Sequence, residues 1–222
     1  MSVFPILKAL PPVILGASCA ALVLAGSVYA KPISYVGGTM IMQENDETGH
    51  TVSLDYTLDP HYAVGWYDKW EEHERDGRDF SVHGPEVNTL IHRWNLPDGQ
   101  ANIFNSTGAG LAVGDGKTRN AAWTSFLADY ETRRVFSSYE IRGMYADTIS
   151  ESLWQRARIG IAPYKAGYDD VSTWFMLQVD DHPSKTNTWV VTPLVRFFYK
   201  TTLVEAGYSS NHHIMLNWDL QF

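Results

Sequence analysis

The sequence of 222 residues has little cysteine, little charge and no excess of basic side chains. Its single cysteine, Cys19, excludes a disulfide framework. The 17 Lys and Arg against 25 Asp and Glu give a formal net charge of −8. Phosphate backbones repel an acidic chain, so we expect no nucleic acid among its partners. A hydrophobic content of 45% excludes a disordered chain as well.

Residues 1–30 have the three-part pattern of a secretory signal peptide. Lys8 provides the basic start, an apolar stretch follows, and Val28-Tyr29-Ala30 closes the segment as a cleavage site does. We predict cleavage after Ala30, which leaves residues 31–222 as one domain without cysteine. A retained membrane anchor helix and a lipoprotein that starts at Cys19 are the alternatives.

Long hydrophobic runs are absent beyond Lys31, and no stretch of 18 apolar residues remains to form a spanning helix. Apolar residues instead occupy every second position. In the last segment, Ile214, Leu216, Trp218, Leu220 and Phe222 share one face of an extended chain. Similar alternation marks residues 51–58, 170–180 and 188–199. Segments of this length match the roughly 9–11 residues with which a tilted strand crosses a bilayer.

The pattern predicts an all-β fold, a closed antiparallel transmembrane β-barrel of about twelve strands. An even number places both chain ends on one side of the membrane. We expect tight turns on that side and longer polar loops on the other, at 44–50, 71–85, 114–120 and 180–187. The predicted strands are 34–43, 51–58, 62–70, 86–95, 101–113, 120–131, 134–145, 152–162, 170–180, 188–199, 202–209 and 212–222.

The C-terminal segment Leu216-Asn217-Trp218-Asp219-Leu220-Gln221-Phe222 resembles the ending of Gram-negative outer-membrane β-barrel proteins. The resemblance implies a location in the outer membrane, among its lipids and lipopolysaccharide. It also implies insertion by the barrel-assembly machinery, which reads the strand that ends at Phe222. No particular family is identified, and nothing about a substrate follows.

Alternation predicts which charged side chains face the lumen, because a charge on the lipid face costs about 2–4 kcal/mol at mid-depth. Two interpretations stay open: these side chains set the preference of an aqueous pore, or they pair and plug a narrow interior. For the arginines, Glu140 and Asp180 are candidate partners, and a bound anionic solute is the alternative. The candidate lumen-lining residues are Glu140, Arg142, Arg156, Arg158, Asp180, Arg196 and Glu205, with Asp55, Lys69, Asp129 and Asp219.

Two further features concern the barrel wall. Aromatic residues near strand ends are expected to form two interfacial girdles, and Pro193 is expected to cause a bulge, since it cannot donate to the ladder. The girdle candidates are Tyr62, Trp70, Tyr130, Tyr145, Trp189, Tyr199 and Tyr208.

These observations predict a narrow channel for a small solute or ion, or a non-catalytic component of an envelope transport or resistance system. The alternative is an outer-membrane hydrolase of lipid A or phospholipid, with Asn45, Asp46, His50 and Ser53 at its first outer loop. The Asn-Asp pair resembles outer-membrane lipid A deacylases. We predict no catalytic, cofactor or metal residues, and we interpret the histidines as solvated loop residues: His50, His73, His83, His182, His212 and His213.

Overall fold

The computed structural model describes residues 32–46, 49–71, 79–167, 169–183 and 189–222. The predicted signal peptide and His73 lie outside the described residues. The described chain forms twelve strands: β1 (Thr39–Asp46), β2 (Gly49–Thr57), β3 (Tyr62–Glu71), β4 (Phe80–Leu96), β5 (Gly99–Gly114), β6 (Lys117–Thr132), β7 (Val135–Ala146), β8 (Ser150–Ile161), β9 (Ser172–Asp181), β10 (Val190–Tyr199), β11 (Thr202–Tyr208) and β12 (Ile214–Gln221). No helix in these ranges has the length and hydropathy to span a membrane.

The strands form a closed antiparallel barrel, which confirms the predicted fold class. Each strand pairs with its neighbours in the chain, and β1 pairs with β12 to close the sheet. Closure gives every strand a neighbour on both sides, as a β structure in hydrocarbon requires. We call the end at which β1 begins and β12 ends the terminal end, and the opposite end the far end.

Alternation along the strands divides the wall into an apolar outer face and a mixed inner face. On β12, for example, Leu216 and Leu220 are exposed while Asn217 and Asp219 are buried. The inner face carries apolar clusters, one around Trp123 with Phe80 and Val82 and another around Trp174 with Met176. Charged and amide side chains fill the space between these clusters.

The predicted aromatic residues lie at both rims of the outer face. Tyr62, Tyr130 and Tyr199 are exposed near the terminal end, and the other four are exposed near the far end: Trp70, Tyr145, Trp189 and Tyr208. An apolar band between two aromatic girdles is the outer surface of an outer-membrane barrel. The chain is therefore an outer-membrane β-barrel, as its C-terminal segment indicates.

The predicted strand at 34–43 is corrected at its beginning. β1 starts only at Thr39, because the backbone turns at Gly37, whose φ of 81° suits glycine. The preceding residues enter the barrel, where Ile33 packs against Ala63, Leu90 and Phe104 at the terminal end. The short segment before β1 therefore helps to fill the lumen at the terminal end.

The predicted loops at 44–50, 71–85 and 114–120 are also corrected. β1 continues to Asp46 and β2 begins at Gly49, so most of 44–50 belongs to the wall. β4 begins at Phe80, so residues 80–85 belong to the wall, although Gly84-Pro85 is typical of a loop. β5 and β6 meet in the two-residue turn Asp115-Gly116. Both of its residues have positive φ, 53° and 67°, as a tight hairpin turn requires.

The expected asymmetry of loop length has an exception at the terminal end. The connection between β8 and β9 runs from residue 162 to 171 and lies at the terminal end, where we expected only tight turns. Arg133 and Arg134 of the neighbouring turn bind its backbone, with Arg134 Nε donating to the carbonyl oxygen of Ala162 at 3.1 Å. This longer segment is thereby attached to the barrel rim.

The bulge that we expected at Pro193 is absent. β9 and β10 keep an unshifted register through Pro193, and the β10–β11 ladder begins only at Leu194. Pro193, which has no backbone N–H to donate, therefore lies just beyond the end of the β10–β11 ladder and interrupts no pair of that ladder. A register shift occurs instead in β4, between Leu90 and His92.

Candidate functional site: the barrel lumen

The structure places all seven candidate lumen residues on the inner face. Arg156, Arg158 and Arg196 are buried, as are Asp180 and Glu205, while Glu140 and Arg142 keep part of their surface open to the interior. The four further candidates, Asp55, Lys69, Asp129 and Asp219, also face inward.

Arg156 pairs with two carboxylates. Its Nε donates to Asp180 Oδ1 at 2.7 Å, and a terminal nitrogen lies 3.5 Å from Glu44 Oε2. The Trp154 ring lies beneath the guanidinium, 4.4 Å from its Cζ. The side chain of Glu44 is 41% exposed, so this carboxylate opens onto the interior space.

Glu205 is shared by two arginines. Arg196 Nε donates to Glu205 Oε1 at 2.6 Å, and Arg158 approaches Glu205 Oε2 to 3.6 Å. Asn217 Nδ2 donates to the same Oε2 at 3.1 Å, and Arg158 Nε donates to Gln178 Oε1 at 2.7 Å. The guanidinium groups of β8 and β10 are thus joined by one buried carboxylate.

Arg142 reaches across the lumen from β7 to β3. Its guanidinium donates to Glu140 Oε1 at 2.9 Å and to the Tyr67 hydroxyl at 3.1 Å. Its Cζ also lies 5.6 Å from the Tyr67 ring and 5.5 Å from the Trp154 ring. These contacts fix a cation in the middle of the barrel.

The opposite wall carries carboxylates bound by neutral donors. Trp123 Nε1 donates to Glu86 Oε2 at 2.6 Å, and Asn88 Nδ2 donates to Asp55 Oδ1 at 2.8 Å. Ser106 donates to the amide oxygen of Asn88. The carboxylates of β2 and β4 are thus bound by neutral donors, whereas Glu140, Asp180 and Glu205 are bound by the arginines of β7, β8 and β10.

Two cavities between these walls are lined by described residues. The larger one measures about 90 Å³, and its lining includes Glu44, Glu86 and Glu140 together with Arg142, Arg156 and Arg158. This volume holds several waters, since one water needs about 10–15 Å³. A smaller cavity of about 20 Å³ lies toward the far end, lined among others by Trp123, Met144 and Trp154. Four residues line both cavities and form a partition between them: Glu44, Thr51, Tyr67 and Arg142.

The sequence analysis missed Glu44, Glu86 and Tyr67 as lumen residues. For Glu44, the alternation of Met40 and Met42 continues by one more step, and this signal could have placed it on the inner face. For Glu86, the same step of two leads to Asn88 and Leu90. For Tyr67, a step of two back from the inward Lys69 leads to the same face, although an aromatic side chain alone does not indicate which face it occupies.

The residues considered for a hydrolase lie on different faces of the wall. His50 is exposed on the outer face of β2, whereas Ser53 is buried on its inner face. Asn45 lies opposite His50 in the β1–β2 register. Its side-chain oxygen accepts from the Leu216 N–H of β12, and its own backbone N–H donates to Asn217 Oδ1. The side chain of Asp46 lies outside the described residues.

The histidines are scattered in the structure. The interpretation as solvated loop residues is wrong for His182, which is buried inside the barrel, and for His83, which lies in β4. His212 and His213 lie in the β11–β12 connection. Within the described ranges, no group of three or more histidine, cysteine, aspartate and glutamate side chains has an arrangement that would hold a metal ion.

No protein-family model matches the sequence, and no curated protein matches it. Among solved structures, the KdgM porin aligns with 83% of this chain and 98% of its own, with 14% sequence identity and a TM-score of 0.46. A second structure, the KdgM porin in complex with disordered oligogalacturonate, aligns with the same values.

Proposed function

We propose that this chain is a narrow outer-membrane channel for small hydrophilic solutes or ions, closed in the present state at the partition of Glu44, Thr51, Tyr67 and Arg142. It acts either alone or as a non-catalytic component of an envelope transport or resistance system. The observation that carries the proposal is the charged cavity of about 90 Å³ inside a closed barrel. A barrel of twelve strands lies between filled eight-stranded interiors and open sixteen-stranded porins.

The chemistry of the cavity supports passage of polar solutes rather than a purely structural filling. A buried ion pair is often no more stable than apolar residues of similar volume. Three carboxylates and three guanidinium groups nevertheless line the larger cavity. Such groups replace water around a solute or ion on its way through a pore, and they set its charge preference.

The test is conductance in planar lipid bilayers. The purified chain is expected to show discrete current steps that are small or infrequent. Arg142→Ala is expected to increase the step size or the open time, because it removes the cation that bridges Tyr67 and Glu140. Arg119→Ala is the matched control, since Arg119 lies near the far rim and pairs with Asp147 there.

Absence of current steps from both the unmodified chain and Arg142→Ala would contradict the proposal. Equal currents from Arg142→Ala and Arg119→Ala would show that the pore, if present, is not closed at the partition. Heat-modifiable migration on gels identifies folded barrel in each preparation, so that a folding defect is not mistaken for a closed channel.

We also propose that the barrel-assembly machinery recognises β12 and inserts this chain into the outer membrane. Alternate apolar residues on this strand and the final Phe222 support the proposal. Deletion of Phe222 is expected to reduce the heat-modifiable fraction in cells, while Phe222→Tyr is expected to retain it. Equal amounts of folded barrel from both variants would contradict this route.

A further inference from the structure

The interface between β1 and β12, which we call the seam, has the shortest ladder in the barrel. Four residue pairs join these strands, from Met40 and Gln221 to Gln43 and Trp218. Every other interface has at least six such pairs. The seam is therefore joined by backbone pairing mainly in its half toward the terminal end.

The positions of the missing backbone bonds follow from the alternation of an antiparallel ladder. Thr39 and Phe222 exchange both backbone hydrogen bonds, at 2.7 and 2.9 Å. Bonded pairs recur at every second position, so Asn45 and Leu216 form the next expected bonded pair beyond Gln43 and Trp218.

At this position two asparagine side chains take the place of backbone carbonyls. The Leu216 N–H donates to Asn45 Oδ1 at 2.7 Å, and the Asn45 N–H donates to Asn217 Oδ1 at 2.9 Å. A backbone carbonyl is fixed in its strand, whereas a side-chain amide can leave by rotation about its χ angles. The far half of the seam is therefore held by contacts that a change of rotamer can release.

The two faces of the seam have different surroundings. On the inner face, Met42 and Glu44 of β1 line the larger cavity. By alternation, Gln43 and Asn45 point toward the lipid, where a polar side chain is unfavourable. Release of the two asparagine bonds would therefore connect the cavity with the bilayer through a polar gap in an otherwise apolar wall.

We propose that the far half of the seam is a lateral opening between the lumen and the membrane, for amphipathic solutes with a fatty acyl portion. The charged cavity binds the polar group of such a solute, and the acyl portion passes between β1 and β12 into the lipid. This opening requires no pore from one end of the barrel to the other. Failure of the channel proposal would therefore not contradict it.

The test uses a cysteine reporter on the inner face. Met42→Cys is introduced together with Cys19→Ala, so that the reporter is the only thiol whether or not the leader is cleaved. The folded barrel in lipid vesicles is treated with a long-chain alkyl maleimide dissolved in the bilayer. Addition of Asn45→Ala, which removes the acceptor of Leu216, is expected to raise the labelling rate about fivefold, the effect of losing one hydrogen bond.

Asn105→Ala is the matched control. Asn105 also binds across a strand interface from the outer face, through Ser125 and Thr124, but β5 and β6 have an unbroken ladder there. Its loss is expected to leave the labelling rate unchanged. An unchanged rate with Asn45→Ala, or equal acceleration by a water-soluble maleimide, would overturn the lateral route.

Hydrogen exchange of the unsubstituted chain provides a second measurement that does not depend on the folding of a variant. The amides of Asn45 and Leu216 are expected to exchange faster than those of Phe126 and Ile141, a register pair within the β6–β7 ladder. Equal protection of the two pairs would overturn the proposal, whatever the conductance measurements show.

Discussion

Glu205 is the residue on which the arrangement of the lumen arginines most depends. It accepts from Arg196, Asn217 and, at a longer distance, Arg158. Because each of these groups is buried, loss of the carboxylate leaves two guanidinium groups near each other without their shared partner.

We therefore expect Glu205→Ala to lower the free energy of unfolding by about 3–5 kcal/mol, the usual effect of breaking a buried pair. Urea titration of the barrel in lipid vesicles measures this loss. Glu151→Ala, which removes an exposed carboxylate of β8, is expected to change stability by less than about 0.5 kcal/mol. Similar losses for the two variants would contradict the structural role of Glu205.

A second effect at the residue scale concerns Gly108. A Cβ atom at this position would overlap the indole of Trp123, which lies against the glycine and donates to Glu86. We expect Gly108→Ala to destabilise the barrel by about 1–3 kcal/mol, the range for an overpacked core. Gly143→Ala is the control in the same urea titration, because a Cβ atom there meets nothing within 4 Å. The explanation fails if both alanines have the same effect.

At the scale of elements, the β5–β6 hairpin depends on its two-residue turn. Gly116 has a φ of 67°, in the left-handed region that alanine adopts only with strain. Gly116→Ala should therefore lower the unfolding free energy by about 1 kcal/mol, whereas Asp115→Asn should have little effect, since asparagine tolerates this conformation. Thermal unfolding on gels compares them, and an unaffected Gly116→Ala midpoint would count against the turn assignment.

The elements also show what the sequence could predict. Alternation identified twelve strands, because lipid outside and polar groups inside impose a period of two on every strand. The alternation pattern gave wrong strand boundaries where pairing with neighbouring strands, rather than the local sequence, determines the backbone conformation. Gly84-Pro85 is typical of a loop but belongs to β4, which pairs with β3 and β5 on its two sides. Asp115-Gly116 is typical of a two-residue hairpin turn, and the predicted loop at 114–120 is longer than this turn.

The lumen could be predicted in composition but not in contacts. Alternation indicates that Arg142 and Tyr67 each have a fixed face, yet their hydrogen bond joins residues 75 positions apart on β3 and β7. Such a contact depends on the diameter and stagger of the closed barrel, which no local pattern contains. The partition therefore could not be predicted from the sequence and is visible only in the folded barrel.

For the whole molecule, the balance of inward charge predicts cation preference. Among the described residues, inward acids outnumber inward bases: Glu44, Asp55, Glu71, Glu86, Asp129, Glu131, Glu140, Asp180, Glu205 and Asp219 against Lys69, Arg93, Lys117, Arg119, Arg142, Arg156, Arg158 and Arg196. An interior of one predominant sign concentrates ions of the opposite sign.

The reversal potential across a KCl gradient should accordingly show cation selectivity. The double variant Glu44→Gln, Glu86→Gln should move it toward zero, because both carboxylates line the larger cavity. Glu151→Gln should leave it unchanged, since this carboxylate faces outward from β8. Anion selectivity of the unmodified chain would refute the electrostatic argument.

The positions of the tryptophans make the chain a fluorescent reporter of its own state. Trp123 and Trp154 are buried at the smaller lumen cavity, whereas Trp66, Trp70 and Trp189 are exposed on the outer face. Brominated lipids would quench the outer set at all times. Caesium ions added on the side of the terminal end would reach Trp123 and Trp154 only while the partition is open, so the quenching of these two residues would follow gating without any attached dye.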